Sequence, residues 1–456
     1  SIDSLKKVWD RYKDLSFSYE TKSGALDIAN EELTKFLAEV HTLEDIKKLI
    51  EVILVQKKSF KTSRLLEIIL AGALALKASD VHLEPQEKEA YMRYRLDGVL
   101  TQIAVIDKDT YNLLISRLKL LAGMKLNLKG SQDGRFSILL QDTEIEIRAS
   151  AIPSAYDISI VLRILNPDAI AVPLEAMGIH PKLLGILMKE IEKPEGMLLT
   201  TGPTGSGKTT TLYAFLRKVY SPEIKIITIE NPIEYHLKGI VQTQVNEGQQ
   251  YTFVEGLRSA LRQDPDIIMV GEIRDNDTAE TAINSALTGH LVFSTLHTNS
   301  AAGTFPRLID LGINPKIITS AVSVAMAQRL LRRLCPDCMH EIQIEGHAKE
   351  IIDRIAGSIK NIHEYIETVP TTIGEAKGCA KCNFTGYKGR IGVYEAILRS
   401  EAIDKVVQEN PNEREIWKAA EPQGILNMRQ DGIIKVLNKT TSLPELQRVI
   451  DLEVEW

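Results

Sequence analysis

The sequence has little cysteine, few aromatic residues and no large excess of charge of either sign. Cysteine accounts for only 4 of the 456 residues, and aromatic residues make up 5%. The formal net charge of −6 does not indicate a strongly basic surface for nucleic acid. A charged fraction of 25% and a hydrophobic fraction of 44% are ordinary for a globular protein. The length favours two to four domains.

No run of apolar residues is long enough to cross a membrane. The most apolar stretch, Leu65 to Leu76, is short and contains Glu67, whereas a spanning helix needs about 20 apolar residues. The opening SIDSLKKVWDRYKDL lacks the apolar centre of a signal peptide. Because the chain begins with Ser1 and not with Met, we expect a further N-terminal domain before it.

The four cysteines form two C-x-x-C pairs, Cys335 with Cys338 and Cys379 with Cys382. Each pair can offer two thiolates to one cation, and together they complete a tetrahedral site that leaves no open position for catalysis. Zinc suits such a site best, and we predict that it is structural. A redox dithiol is the alternative, although neither pair has a thioredoxin-like context. The metal pattern favours a reducing, cytoplasmic compartment.

The spacing of apolar residues divides the first part of the chain into two regions. Residues 1–60 are predicted to form helices and linkers. Residues 61–165 begin with a helix from Ser63 to Leu76 and continue with short alternating stretches, which predicts an α+β domain with an antiparallel sheet. Residues 166–175 are interpreted as a linker. Helical spacing in the first region involves Leu5, Val8, Trp9, Ile46, Leu49, Ile50 and Ile53.

From residue 176 onward, apolar strands alternate with helices, which predicts a parallel sheet flanked by helices over residues 176–334. Residues 335–400 are predicted to form a metal-binding subdomain whose stretch from 339 to 378 is mainly helical. Residues 401–456 are predicted to form a helical tail. The predicted strands span residues 196–201, 225–230, 266–272 and 290–296.

A glycine-rich stretch after the first of these strands fits G-x-x-x-x-G-K-[ST] completely. Gly205 and Gly207 let the backbone curl so that its N–H groups face phosphate oxygens. Lys208 is predicted to reach the β- and γ-phosphates of a nucleotide, and Thr209 to ligate Mg²⁺. The alternative is a glycine-rich turn without a ligand. The predicted nucleotide-binding residues are Gly202, Pro203, Thr204, Gly205, Ser206, Gly207, Lys208, Thr209 and Thr210.

A second apolar strand ends in an acid, Glu272, as an ATP-hydrolysing site requires. Gly271 stands where a metal-binding Asp is common, so Glu272 is the better candidate for activating the attacking water. An ordinary buried strand with a terminal charge is the alternative. Glu230 and Glu234 follow another strand, and His290 and His297 bracket a fourth. Each cluster alone is a weak signal, because a lone histidine is more often structural than catalytic.

Eight motifs in order carry a resemblance to a known family. They are ASDVHLEP, SQDGR, GPTGSGKTTTLY, ITIENPIE, LRQDPDIIMVGEIRD, ALTGHLVFSTLHTN, VAMAQRLLRRLCPDC and CAKCNFTGYKGRIGVYE. Over about residues 63–400 the chain resembles the secretion ATPases that drive type IV pilus assembly and type II secretion. The resemblance implies an α/β fold: a RecA-like P-loop ATPase core with an N-terminal α+β (PAS-like) domain, a tetracysteine zinc insert and a helical tail.

The resemblance also implies roles for single residues. Glu272 matches the catalytic base and His297 the histidine of a histidine box. Glu230 and Glu234 fall in an acidic box, where this chain has Asn231 in place of the usual Asp.

Arg135 and Arg148 match arginines of the N-terminal domain that can approach the γ-phosphate. Surface ion pairing is the alternative for both. ASDVHLEP places Asp80, His82 and Glu84 on one strand face, which we interpret as solvated and not as a metal site.

The family implies a hexameric ring with ATP bound between the N-terminal and RecA-like domains. Turnover would move an inner-membrane platform protein and add pilin subunits to a fibre. The tetracysteine insert favours the assembly or secretion branch over the retraction ATPases, which lack it. We expect a cytoplasmic ATPase, peripheral to the inner membrane, that powers pilus assembly. The alternatives are a type II secretion ATPase, a nucleic-acid translocase with a RecA core, and a nucleotide-binding scaffold that does not hydrolyse.

Overall fold

The computed structural model describes residues 25–26, 36, 40–55, 61–128, 130–140, 143–166 and 172–453. The predicted helical spacing at Leu5, Val8 and Trp9 lies outside these residues. The chain divides into two compact units, one up to residue 167 and one from residue 168. None of the helices in the described ranges is both long and apolar enough to cross a membrane.

The first unit contains a seven-stranded sheet in the order β1-β5-β6-β7-β2-β3-β4. All neighbouring strands are antiparallel except β1 and β5. The antiparallel α+β arrangement is therefore confirmed. The strands are β1 (Ala25–Leu26), β2 (Asp80–Pro85), β3 (Glu89–Leu96), β4 (Val99–Asp107), β5 (Gln132–Leu140), β6 (Thr143–Pro153) and β7 (Ile158–Leu165). The helices are α1 (Leu43–Val55), α2 (Lys61–Ala75) and α3 (Lys108–Leu121).

Alternation along the strands leaves one face of this sheet apolar and the other polar. Val81 and Leu83 of β2 are fully buried in a core that also contains residues of all three helices, whereas the side chains between them face the other way. Helix α1 approaches α2 closely at Gly72, where an added Cβ would lie 2.8 Å from Ile46. The helices therefore cover the apolar face, and the polar face remains for charged residues.

The second unit contains another seven-stranded sheet, in the order β10-β9-β11-β12-β8-β13-β16. The predicted strands are confirmed to within a few residues at each end. The strands predicted over residues 176–334 are parallel to their neighbours, and β16, which lies beyond this range, joins β13 antiparallel at the edge of the sheet. The strands of this sheet are β8 (Gly196–Thr201), β9 (Ile226–Glu230), β10 (Val241–Gln244), β11 (Ile267–Val270), β12 (Leu291–Leu296), β13 (Val322–Leu334) and β16 (Tyr387–Leu398).

Helices cover both faces of this sheet, which explains why its central strands β8, β9, β11 and β12 are mostly apolar and buried. Met197 and Leu199 belong to one core cluster, and Leu198 between them belongs to another. The helices are α4 (Pro181–Ile191), α5 (Lys208–Val219), α6 (Phe253–Leu261), α7 (Asn276–Leu287), α8 (Thr304–Asp310), α9 (Pro315–Ala321), α10 (Gly346–Gly357), α11 (Glu401–Glu409), α12 (Glu413–Ala420), α13 (Met428–Leu437) and α14 (Leu443–Val449).

The stretch from 339 to 378 is less helical than predicted. It contains α10, but also a two-stranded antiparallel sheet of β14 (His340–Gln343) and β15 (Thr372–Glu375). Each strand has only four residues, too few for the alternation of apolar residues to stand out from the surrounding charges. The helical prediction for residues 401 onward is confirmed by α11 to α14.

Helix α14 is held against β13 by a buried carboxylate. Glu445 is 1% exposed and lies 2.6 Å from Arg332 and 2.7 Å from Arg448. Burial alone would raise the pKa of Glu445, but the hydrogen bonds from Arg448 and Arg332 outweigh burial and lower the pKa to about 2. The ion pairs therefore stabilise the fold as long as Glu445 is ionised.

We predict that Glu445→Gln lowers the free energy of unfolding by about 3 kcal/mol, because breaking a buried ion pair leaves charge without its partner. The pKa in the folded protein lies below the ordinary value of 4.5. The stabilisation should therefore be complete above about pH 4.5 and be lost as the pH falls towards 2. Urea unfolding at several pH values measures both effects. Glu415→Gln, at an exposed ion pair, is the control; equal stability of the two variants would contradict the prediction.

Candidate functional site

The glycine-rich loop lies between strand β8 and helix α5. Gly202, Gly205 and Gly207 have φ angles of 146°, 78° and 91°, a range that side chains other than glycine's rarely tolerate. Helix α5 begins at Lys208 with no side-chain cap at its N-terminus. The first-turn N–H groups of a helix attract anions, so this loop has the form of a phosphate site.

Lys208 folds back over the loop. Its ammonium group donates hydrogen bonds to the carbonyl oxygens of Gly202 at 2.7 Å and Pro203 at 3.2 Å. Burial lowers the pKa of Lys208, and the negative charge of Glu272 opposes this shift. Lys208 and Glu272 thus belong to one electrostatic site.

Glu272 lies just beyond the end of β11, and both of its oxygens have cationic or imidazole partners. Arg274 Nη2 lies 2.5 Å from one oxygen, and His297 Nε2 lies 3.3 Å from the other. The carboxylate is therefore oriented by two side chains. The geometry brings the predicted residues Lys208, Glu272 and His297 together. Arg274 was not predicted from the sequence, although the spacing E-x-R could have suggested it.

The glycine before Glu272 has a steric reason. A Cβ at Gly271 would lie 3.2 Å from the carbonyl oxygen of Ile229 and 3.4 Å from the Cα of Glu230. Because β11 runs this close to β9, an aspartate at position 271 would need the backbone to shift.

The loop that carries His297 is tied to the end of β8. Thr201 Oγ1 accepts a hydrogen bond from the N–H of Thr298 at 2.8 Å. His290 lies at the opposite end of β12, where its ring contacts the carbonyl of Ser285 at 3.0 Å. The two histidines therefore do not share a site, although one motif contains both.

Glu230 is buried at the end of β9 and is surrounded by donors. Thr228 donates a hydrogen bond at 2.6 Å and Gln242 at 3.0 Å, and the hydroxyl of Tyr213 donates a third. Burial raises the pKa of Glu230, and these hydrogen bonds oppose the shift. Glu234 is half-buried and close enough for its charge to act on Glu230.

In the first unit, four arginines occupy the same register position on neighbouring strands. Arg135 on β5 is paired with Arg148 on β6, and Arg148 with Arg163 on β7. Arg163 is paired with Asp80 on β2, which is paired with Arg95 on β3. We call these five residues the arginine row. Like charges opposite each other destabilise a sheet, so a row with more arginines than acids favours binding of an anion.

Two acids neutralise part of the arginine row. Asp80, which is 5% exposed, lies 3.1 Å from Arg163 and 3.3 Å from Arg95. Glu146 lies 3.1 Å from Arg148. Arg135 is exposed. The family resemblance pointed only to Arg135 and Arg148, because the other members become visible only through the strand register.

The remaining side chains of the ASDVHLEP motif are also paired with arginines. Glu84 forms an ion pair with Arg93, and His82 contacts Arg95 at 3.4 Å. In the described residues these groups do not join a cluster that could hold a metal. The interpretation of this strand face as solvated is wrong for Asp80, which is buried between Arg163 and Arg95.

The four cysteines converge on one point. Their sulfur atoms lie within 4.8 Å of one another, with Cys335 and Cys379 4.0 Å apart and Cys338 and Cys382 3.7 Å apart. Metal–sulfur bonds of about 2.3 Å in a tetrahedron place the sulfurs about 3.8 Å apart. The cluster therefore fits one tetrahedral metal ion.

The local backbone favours a thiolate at Cys382. Burial raises the pKa of this thiol, but the N–H groups of Cys379 and Gly386, each 3.2 Å from its sulfur, outweigh burial and lower the pKa to about 7. Gly386 can approach because it has no Cβ, which would lie 2.5 Å from Ala376. Thiolates are the form of cysteine that binds metal.

Comparisons with known proteins agree with one another. A family model described as type II/IV secretion system protein matches residues 55–448. Type II secretion system protein E of Pseudomonas aeruginosa is 40% identical over 436 residues, 95% of this chain and 84% of that protein. The type IV pilus assembly ATPase PilB of Acinetobacter baylyi is 43% identical over 84% of this chain and 65% of PilB. The structure of the pilus retraction motor PilT with bound ADP is 26% identical, covers 83% of this chain and 95% of PilT, and gives a TM-score of 0.55.

We predict that the protein binds one Co²⁺ ion through the four sulfurs, with a thiolate-to-cobalt charge-transfer band in the absorption spectrum. Cys382→Ser should lower the intensity of the band by about a quarter or more, because it removes one of the four thiolate ligands. Asp337→Asn is the control, since this carboxylate lies beside Cys335 but forms an ion pair with Lys381. A wild-type protein without the band would contradict a four-sulfur site.

Proposed function

The chain belongs to the type II/IV secretion system protein family and is an ATP-hydrolysing enzyme, and we propose that it is a hexameric motor that assembles a fibre of pilin-like subunits. The observation that carries this proposal is the site formed by Lys208, Glu272 and His297 at the strand ends beside the phosphate-binding loop. Binding alone would not require a carboxylate oriented on both oxygens. A scaffold that does not hydrolyse ATP is therefore disfavoured.

In the proposed mechanism, residues 202–210 bind the phosphates of ATP through backbone N–H groups. Lys208 leaves the loop carbonyls for the β- and γ-phosphates. Thr209 would hold Mg²⁺, which would neutralise charge on the phosphates. Glu272 orients and deprotonates the attacking water, and Arg274 and His297 hold the carboxylate in position.

The acidic pair Glu230 and Glu234 borders this site in our proposal. The hydrogen bonds that Glu230 accepts from Thr228, Gln242 and Tyr213 support a role in holding the end of β9 in place. Glu234, on the loop that follows, would then provide the charge nearer the nucleotide.

We propose that the arginine row supplies positive charge to the nucleotide phosphates, with Arg135 and Arg148 as the contacting residues. The excess of arginines over acids in the row supports this role. Asp80, which forms ion pairs with Arg163 and Arg95, would partly neutralise these two arginines. Charge that develops on the γ-phosphate during transfer would be stabilised by such a row.

The proposed machine acts at the cytoplasmic side of the inner membrane, where a platform protein transmits the motion of the ring. The cysteine cluster is proposed to hold Zn²⁺, because zinc prefers four sulfurs in a tetrahedron and is redox-inert. Its role would be to join β13 to the start of β16, the strands next to the cysteine pairs. We expect no nucleic acid as a partner.

Between the two kinds of machine, one observation favours the type II secretion system over the type IV pilus. The match to the secretion protein covers more of both chains than the match to PilB does. Co-precipitation of the protein from the source cell, with detection of the platform protein of each machine, distinguishes the two functions. Capture of the pilus platform protein alone would restore pilus assembly as the function.

We predict that ATP turnover depends on Lys208 and Glu272. Glu272→Gln should lower kcat by at least about a hundredfold while ATP still binds, because only the chemical step loses its base. Lys208→Ala should weaken binding as well. Phosphate release and nucleotide titration, measured on protein whose size distribution is known, test both.

Glu280→Gln, at an exposed carboxylate of α7, is the control and should turn over ATP as the wild type does. Turnover by Glu272→Gln at the wild-type rate would refute the assignment of the base. Stimulation of turnover by DNA would instead support a nucleic-acid translocase.

We predict that Arg148→Gln lowers kcat by about a hundredfold without unfolding the first unit, as expected for loss of one donor to developing charge. Arg117→Gln, at an exposed position on α3 in the same unit, is the matched control. Thermal melting confirms that both variants are folded. Wild-type turnover by Arg148→Gln would exclude a role of Arg148 in catalysis and leave it a structural role in the ion pair with Glu146.

A further inference from the structure

Strand β13 lies against the phosphate-binding loop at two points. Its parallel pairing with β8 ends at Ala327 and Thr201, so Gln328 comes next to the first residue of the loop. A Cβ at Gly202 would lie 2.6 Å from the backbone carbonyl oxygen of Gln328, and a Cβ at Gly207 would lie 3.0 Å from its side-chain nitrogen. A Cβ at Gly202 therefore has no room while β13 stays this close, and a Cβ at Gly207 would require the amide of Gln328 to shift.

The side chain of Gln328 makes a specific contact with the loop. It is 1% exposed, and Nε2 donates a hydrogen bond of 2.7 Å to the carbonyl oxygen of Ser206. Because a carbonyl only accepts, the amide nitrogen has to face it. Within the described ranges, the oxygen of the same amide has no partner. The side chain is thus connected to the polar groups of the loop by a single buried hydrogen bond.

This hydrogen bond decides which way one peptide group of the loop points. The carbonyl of Ser206 and the N–H of Gly207 belong to the same planar trans peptide and point in opposite directions. Holding the carbonyl towards β13 therefore directs the N–H away from β13. Among the described residues, no protein group accepts a hydrogen bond from this N–H. A free N–H just before a helix is suited to bind a phosphate oxygen.

We propose that Gln328 is a positioning residue for nucleotide binding, which acts by orienting the Ser206–Gly207 peptide towards the phosphates. The inference rests on the proposed function, because it concerns the same nucleotide site. Gln328 does not touch the reacting atoms, so its loss should affect binding in the ground state and the transition state equally. The KM for ATP should then rise while kcat stays near the wild-type value.

The test is nucleotide affinity of the full chain in Gln328→Met, which keeps the length of the side chain and removes the donor. We expect the Kd for ADP and for ATP to rise roughly tenfold, as loss of a buried hydrogen bond to the loop would give. Met326→Leu is the matched control, because Met326 is fully buried two residues earlier on the same face of β13. A swap of similar volume should leave nucleotide affinity unchanged.

The outcomes separate a positioning role from a structural one. A rise in Kd for Gln328→Met that exceeds the rise for Met326→Leu at equal melting temperature supports the proposal. Wild-type affinity of Gln328→Met, or an equal loss in both variants, overturns it. If Gln328→Met does not fold, Gln328→Leu carries the same test. A wild-type protein that binds neither ADP nor ATP would instead reject the proposed function.

Discussion

The backbone carbonyl groups of the phosphate-binding loop impose the constraint on which the rest of the site depends. A loop that turns its N–H groups towards phosphate has to turn carbonyls the other way, and buried carbonyls need donors. Here Lys208 donates hydrogen bonds to the carbonyls of Gly202 and Pro203, and Gln328 donates one to the carbonyl of Ser206. Both donors lie within reach only because β13 and α5 pack directly against the loop. The close approach of β13 to the loop therefore requires glycines there as much as the turn of the loop itself does.

The parallel sheet explains how residues far apart in the sequence meet. Strands β8, β11 and β12 end at one edge, and the segments that follow carry Lys208, Glu272 and His297. Hydrogen bonds between neighbouring loops hold this edge together, such as that between Thr201 and Thr298. The order of the strands therefore determines which functional side chains lie together, while burial of the apolar strands stabilises the fold.

Features that depend on local spacing could be predicted from the sequence. The phosphate-binding loop, four sheet strands, the acid at position 272 and the convergence of four cysteines were recognised in this way. Features that depend on which strands are neighbours could not. The arginine row becomes visible only when β5, β6, β7, β2 and β3 are aligned, and Gln328 matters only because β13 lies beside β8. The two-stranded sheet of β14 and β15 was not predicted, because strands of four residues are too short for an alternation of apolar and polar residues to be recognised.

The proposed nucleotide site is tested most directly by a structure of the Glu272→Gln variant with ATP and Mg²⁺ bound. In that structure Lys208 should leave the carbonyls of Gly202 and Pro203 for the phosphates. Gln328 should keep its hydrogen bond to Ser206, and the N–H of Gly207 should contact a phosphate oxygen. A structure in which ATP binds elsewhere, or in which Lys208 remains on the loop carbonyls with ATP present, would contradict it.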